Sequence, residues 1–196
     1  MTAQEFWEEF SGLFTDNSAT LAIARKFWNN RDNFTKFIMP HIATILSSHG
    51  YAENNQYEYY KIDVIGWKDR KEDLSKLQKP DTYKLKNHFW DLGVAVEHEN
   101  DQTDWTDELV KLLYINCPLR VVIGYYPETL SSEDLAETIK YASGIVSLAN
   151  ETNAFIRPEQ EFMLILGKNH DFETDLCAHT YSAFKYKVDK KAFEKM

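Results

Sequence analysis

Cysteine, glycine and proline are scarce in this sequence, which has two, seven and five of them among 196 residues. The two cysteines, Cys117 and Cys177, are too few for a disulfide framework or a cysteine-rich zinc site. Low glycine and proline contents exclude collagen-like and low-complexity chains. Hydrophobic residues nevertheless make up 43% and aromatic residues 14% of the chain, enough for a sizeable core. We therefore expect one globular domain over 1–196.

Positive charge is also limited, because 22 Lys and Arg residues are outnumbered by 31 Asp and Glu residues and the net charge is −9. Proteins that clamp nucleic acid through its phosphates are usually basic, so this balance disfavours nucleic acid as a partner without excluding a local basic groove. No apolar run approaches the roughly 20 residues that cross a bilayer. The first residues also lack the pattern of a secretory signal. The sequence predicts a cytoplasmic protein with no membrane partner.

Helical spacing of apolar residues dominates the start of the chain. Three segments have it: 5–14, 19–28 and 34–48. Pro40 lies inside the third segment, which predicts a kink or a restart of that helix. Residues 1–50 are therefore predicted to form an N-terminal helical segment.

Strand character begins after residue 56. Four segments are rich in aromatic and β-branched residues or are near-continuous in apolar ones: 57–67, 88–99, 119–125 and 161–166. A fifth segment, 181–188, predicts a last strand at the edge of the sheet. The charged stretch 68–86 predicts a solvated loop or short helix, and it is the best local basic feature of the chain.

Helical patterns alternate with the later strands. One covers 105–115, with Thr103 or Asp104 as its expected cap, and another begins at Ser131 or Ser132. Strand–helix–strand units with short loops imply parallel pairs. The order predicts an α/β (α+β) fold with a central mixed β-sheet flanked by helices. In this organisation 57–126 forms an acidic-site core, and 127–196 supplies a helix and the closing strands.

Acidic residues at strand positions are the feature most relevant to function. Residues two apart in a strand share a face, so Glu97 and Glu99 project together while Val96 and His98 project to the other side. If the two strands pair, Asp63 comes beside Glu97. Carboxylates in apolar runs need a cation or a hydrogen-bond donor, and three of them suit Mg²⁺ or Mn²⁺. Asp63, Glu97 and Glu99 are therefore the candidate metal ligands.

This arrangement resembles the PD-(D/E)xK nuclease superfamily. Asp63 matches the first acid of the superfamily, and Glu97-His98-Glu99 matches its D/E-x-K step with Glu99 in the place of the lysine. The helix and the buried strand predicted next match the elements that follow, so the resemblance covers 57–126. It implies a restriction endonuclease-like fold and an Mg²⁺-dependent, endonuclease-like hydrolase that acts on the phosphodiester bonds of nucleic acid.

The absence of a lysine at position 99 leaves several arrangements open. Some restriction enzymes of this fold carry a glutamate at the motif position and remain active, so Glu99 could orient or deprotonate the attacking water. Alternatively, Lys61 or Lys111 could supply the positive charge from elsewhere. Glu58 and Glu108 are candidates for an auxiliary acid. If none of these arrangements works, the fold is retained without catalysis.

Structural interpretations stand beside the catalytic ones. Asp63 and Glu97 could be strand-end residues that bind backbone groups or Lys61. Glu99 could belong to a polar turn before the next helix. His98 is expected to be a packed or surface residue on the opposite face.

Two further possibilities concern other parts of the chain. His170, Asp171, Cys177 and His179 match no common zinc spacing, which favours a polar loop. The whole chain could also be a catalytically inactive interaction protein, antitoxin-like or a mobile-element accessory protein. Its acidic surface would suit a basic protein partner, and a homodimer is also possible.

Overall fold

A computed structural model describes residues 1–15, 18–28, 30–52, 61–70, 89–127, 129–153, 156–157, 159–169, 176 and 180–196. The helices of this part of the chain are α1 (Ala3–Gly12), α2 (Ala19–Phe27), α3 (Arg31–Ser48), α4 (Trp105–Leu113) and α5 (Ser132–Asn153). The strands are β1 (Val64–Arg70), β2 (Phe89–His98), β3 (Leu119–Pro127), β4 (Glu161–Asn169), β5 (Tyr181–Lys187) and β6 (Ala192–Lys195).

The strands form one six-stranded sheet in the order β1-β2-β3-β4-β5-β6. β2, β3 and β4 are parallel, whereas the pairs β1–β2, β4–β5 and β5–β6 are antiparallel. Parallel neighbours require a crossover, and α4 and α5 provide the two that this sheet needs. The predicted α/β architecture, a central mixed sheet flanked by helices, is confirmed.

Alternation along the strands divides the core into two clusters, because successive side chains point to opposite faces. On β2, Val94 and Val96 pack with the N-terminal helices α1–α3. Ala95 packs on the other face with α4, through Trp105 and Leu109 among others. The sheet is therefore the middle of three layers, and each crossover helix covers the face opposite the N-terminal helices.

The N-terminal helices form close to where the sequence predicts them. α1 begins with a capping box, in which the Thr2 hydroxyl accepts from the Glu5 amide and the Glu5 carboxylate accepts from the Thr2 amide. α3 is one helix with Pro40 inside it, not two helices that restart at the proline.

Three local predictions need correction or qualification. β5 is not the last strand or an edge strand, because β6 pairs with it and occupies the edge. The charged stretch 68–86 begins as part of β1, which continues to Arg70, and its remainder lies outside the described residues. Asp104 is the N-cap of α4, but its side chain makes no capping hydrogen bond.

Gly124 sets the distance between α4 and the sheet. A Cβ atom at this position would lie 2.7 Å from both Cβ and Cγ of Trp105, the first residue of α4. Side chains do not approach each other that closely, so only glycine allows this packing. The contact positions Glu108 and Lys111, which α4 carries toward the end of β2.

Candidate functional site

Asp63 and Glu97 lie side by side at the ends of two antiparallel neighbours. The register pairs Val64 with Val96, which places Asp63 opposite Glu97 one position further on. The two carboxyl groups are close enough to share a hydrogen bond. Asp63 Oδ2 also accepts from the His98 backbone amide at 2.8 Å. Strand pairing therefore brings together the two acids expected from the sequence.

Lys111 lies among the carboxylates of this site. Its Nζ is 2.8 Å from Glu97 Oε1 and 2.5 Å from Glu108 Oε2, one turn earlier on α4. It also donates to the Lys61 backbone carbonyl at 2.9 Å. We call Asp63, Glu97, Glu108 and Lys111 the acid cluster.

Burial changes the protonation of the acid cluster. Desolvation raises the pKa of Glu97 to about 8, against the lowering effect of its hydrogen bond with Lys111. Desolvation also raises the pKa of Asp63, against the lowering effect of the His98 amide. Burial lowers the pKa of Lys111, but its hydrogen bonds with Glu108 and Glu97 raise it overall. Glu97 thus keeps its proton at neutral pH while it lies in contact with the ammonium of Lys111.

The Glu99 carboxylate binds a backbone amide just beyond β2. β2 ends at His98, and Glu99 Oε1 accepts from the Asp101 backbone amide at 2.7 Å. Its own amide still donates to the Ile123 carbonyl at 2.9 Å. The Glu99 carboxylate is therefore part of the turn that leads toward α4, whereas Glu97 contacts Lys111.

Lys61 contributes its backbone to the acid cluster. Its side chain is exposed, and its φ of 61° lies in the left-handed region, which is uncommon for a residue with a Cβ. Of the two lysines proposed from the sequence, the structure brings Lys111 to Glu97 through its ammonium and Lys61 to Lys111 through its carbonyl.

The loop after β2 is tied to the N-terminus of α3. Asn100 Nδ2 donates to the Arg31 carbonyl at 3.3 Å and also to Thr35 Oγ1. Arg31 Nη1 lies 3.7 Å from Asp101 Oδ2. These contacts hold the segment that contains Glu99 against the helical layer.

His98 projects to the face opposite the acid cluster, and the interpretation of this residue as a packed histidine is confirmed. Its ring is buried and lies 6.1 Å, centroid to centroid, from the ring of Phe34. Its Nε2 is 2.9 Å from the hydroxyl of Tyr125, which is 3.1 Å from that of Tyr181. Burial lowers the pKa of His98 to about 3, so the ring is neutral at ordinary pH.

The donor chemistry of the acid cluster suits a hard cation, since all its acceptors are oxygen atoms. Among the residues that the structure describes, however, no three His, Cys, Asp or Glu side chains are arranged as a group that could hold a metal ion. The cation that lies between the carboxylates is the ammonium of Lys111.

Several residues singled out in the sequence lie outside the described residues. They are Glu58, most of the basic stretch 68–86, and the polar segment with His170, Asp171, Cys177 and His179. Two backbone groups of the site carried no sequence signal. These are the His98 amide and the Lys61 carbonyl, whose directions depend on strand pairing and on a left-handed residue.

Comparison with known proteins gives no family for this sequence, so a function must be inferred from the geometry of the site. No family model matches the sequence, and no curated protein matches it significantly. None of the helices in the described parts of the chain combines the length and the apolar character that a membrane crossing requires.

Proposed function

We propose that this chain is a metal-dependent phosphodiester hydrolase with a restriction endonuclease-like fold, acting on nucleic acid as the PD-(D/E)xK superfamily does. The observation that carries the proposal is the pairing of Asp63 with Glu97 at adjoining strand ends, with a lysine among the acids. The superfamily places its first acid and its D/E-x-K step on neighbouring strands. A helix and a buried strand then follow, in the positions of α4 and β3.

The place of the acid cluster in the sheet supports a role in ligand binding. Glu97 lies at the carboxyl end of β2, next to the parallel strand β3. Open α/β sheets bind their ligands outside the carboxyl ends of parallel strands. Loops that leave this end, such as the one with Glu99 and Asn100, would border the substrate.

Asp63 and Glu97 would hold Mg²⁺ or Mn²⁺, with Glu99 or Glu108 as a further acid. When bound, the ion would polarise a phosphoryl oxygen and lower the pKa of a bound water. Lys111 takes the role of the missing motif lysine and offsets charge on the scissile phosphate, since its ammonium already lies 2.8 Å from Glu97. The His98 amide fixes the orientation of the Asp63 carboxylate.

A cleavage assay with a matched acid variant tests this function. Labelled single-stranded DNA, double-stranded DNA and RNA are incubated with the protein and Mn²⁺. We expect cleavage of at least one, reduced by about 100-fold or more in Glu97→Gln because a metal-binding oxygen is lost. Glu194→Gln is the control, because Glu194 lies on β6 and its contact is with Lys190. Equal cleavage by Glu97→Gln and the unaltered protein would contradict the proposal.

A second candidate function is a catalytically inactive interaction protein on the same fold. It is favoured by Lys111, whose ammonium already lies between Glu97 and Glu108 where a metal would bind, and by the net charge of −9. Such a protein would bind a basic partner through its acidic surface. Failure to cleave any of the three nucleic acids with Mn²⁺ would favour this candidate over the hydrolase.

A further inference from the structure

The ammonium of Lys111 has an oxygen atom within hydrogen-bonding distance for each of its three N–H groups. These oxygens are Glu97 Oε1 at 2.8 Å, Glu108 Oε2 at 2.5 Å and the Lys61 carbonyl at 2.9 Å. The Glu97 and Glu108 side chains are only 2% and 19% exposed. Lys111 thus fills the centre of the acid cluster as a bound cation would.

A divalent ion and this ammonium would compete for Glu97 Oε1. Mg²⁺ binds carboxylate oxygens at about 2.1 Å, and Glu97 Oε1 is already in contact with Nζ. Two cations on one oxygen repel each other, more strongly in a buried site than in water. An ion that binds Glu97 Oε1 therefore takes the place of the ammonium.

The ammonium of Lys111 can move away from the carboxylates while the backbone of α4 keeps its position. Its neighbours Leu109, Leu112 and Leu113 are buried in the core and hold α4 in place. The Lys111 side chain, in contrast, is 33% exposed and has a flexible four-carbon stem. Rotation of this side chain frees the carboxylates without unfolding any element.

We propose that Lys111 is an internal cation that competes with the metal: its ammonium occupies Glu97 Oε1 and Glu108 Oε2 when no metal is bound, and metal binding displaces it. The inference rests on the proposed function and adds a regulatory step to the same site. The displaced ammonium becomes available to a substrate phosphate. In the metal-free protein the lysine keeps the acids in place and limits the binding of stray cations.

Calorimetric titration with Mn²⁺ alone tests the competition. Lys111→Met is expected to bind Mn²⁺ about tenfold or more tightly than the unaltered protein, because the competing charge is gone. Lys61→Met is the control, since it removes a nearby exposed ammonium and keeps the backbone carbonyl. We expect its affinity to match that of the unaltered protein. Unchanged or weaker binding by Lys111→Met would overturn the competition while leaving the hydrolase proposal intact.

The outcomes separate the two proposals. Absence of Mn²⁺ binding in both the unaltered protein and Lys111→Met would overturn the metal-dependent function and the competition with it. Tighter binding by Lys111→Met in a protein that cleaves no nucleic acid would support the competition and contradict only the hydrolase.

A second measurement uses the unaltered protein and does not depend on the folding of a variant. Reductive methylation of lysine amines is followed by peptide mass spectrometry with and without Mg²⁺. Displacement of the ammonium predicts that saturating Mg²⁺ speeds the methylation of Lys111 several-fold and leaves that of Lys61 unchanged. Methylation of Lys111 that Mg²⁺ slows or does not alter would overturn the proposal.

Discussion

Burial of Glu97 links the stability of the metal-free protein to pH. Its pKa is raised from 4.5 to about 8, so between these values the folded protein keeps a proton that the unfolded chain has released. Stability from this proton is fully present below pH 4.5 and is lost as the pH rises toward about 8. Below pH 6.5 the titration of His98 changes the stability in the opposite direction and offsets the effect of Glu97. Above pH 6.5 only the effect of Glu97 remains of the two.

The prediction for Glu97→Gln follows from this window. In urea unfolding with a chelator present, the free energy of unfolding of the unaltered protein should fall between pH 6.5 and 8, by at most about 1.4 kcal/mol per pH unit. Glu97→Gln carries no titratable proton there, so its free energy of unfolding should change less with pH. Identical slopes for the two proteins would show that Glu97 is ionised in the folded state.

His98 has the opposite dependence. Burial lowers its pKa from 6.5 to about 3, so the stability that it contributes is present above pH 6.5 and is lost as the pH falls toward 3. His98→Leu removes this titration and leaves the hydrogen bond between Tyr125 and Tyr181. Because the Glu97 titration remains, we predict that His98→Leu gains stability relative to the unaltered protein as the pH falls, measured by urea unfolding from pH 6.5 down to 4.5. The same pH dependence in the two proteins would contradict a neutral, buried ring.

Part of the candidate site can be predicted from the sequence at the scale of single residues. Strand spacing predicts that Asp63 comes beside Glu97, and the register agrees. Glu99 lies one residue beyond the end of β2, and its carboxylate accepts from the Asp101 amide, a contact that strand spacing does not predict. The packing of α4 on the sheet decides which lysine contacts Glu97. No local sequence pattern predicts that packing.

At the scale of elements, the contact between α4 and β3 positions half of the acid cluster. Glu108 and Lys111 lie on α4, and Gly124 on β3 allows Trp105 to approach the sheet. A change at this contact therefore moves the helix and its charged side chains together.

Gly124→Ala tests the contact. The added methyl group would lie 2.7 Å from Trp105 Cβ and Cγ, and Cβ is fixed by the backbone, so rotation of the side chain cannot relieve the contact. We predict a loss of about 1–3 kcal/mol in the free energy of unfolding, measured by thermal or urea denaturation.

Gly144→Ala provides the matched control. Gly144 lies inside α5, and a Cβ there would meet nothing within 4 Å. Alanine is the better helix former by up to about 1 kcal/mol, so this variant should be as stable as the unaltered protein or more stable. A destabilisation equal to that of Gly124→Ala would mean that close packing on Trp105 is not the cause.

Helices and strands with a regular spacing of apolar residues can be predicted from the sequence. Short strands that form only by pairing with a neighbouring strand cannot. The apolar stripes of α1 and α2 and the continuous apolar run of β3 identify them directly. β6 has four residues and too little alternation to stand out, so β5 is wrongly predicted to be an edge strand. Its pairing with β5 becomes visible only in the folded sheet.

At the scale of the whole molecule, the order of elements explains where the acids meet. β1 and β2 are antiparallel, and β2 and β3 are parallel. The start of β1 therefore lies at the same end of the sheet as the carboxyl ends of β2 and β3. The helices α1–α3 cover one face and α4–α5 the other. The acid cluster lies at that end of the sheet, on the side that α4 covers.

The net charge of −9 adds a requirement at the same scale. An acidic chain that binds nucleic acid must concentrate positive charge near its site, because the phosphate backbone dominates affinity. Among the described residues, Lys61 and Lys111 contribute atoms to the acid cluster or its immediate contacts. Cations released from internal carboxylates, as proposed for Lys111, would help to meet this requirement.

Anomalous X-ray scattering from crystals grown with Mn²⁺ tests the central claim most directly, because it locates the metal independently of any activity. The account predicts a peak bonded to carboxylate oxygens of Asp63 and Glu97, with the Lys111 ammonium moved away from Glu97. Crystals at saturating Mn²⁺ that give no peak between these acids, with Lys111 still in contact with Glu97, would contradict it.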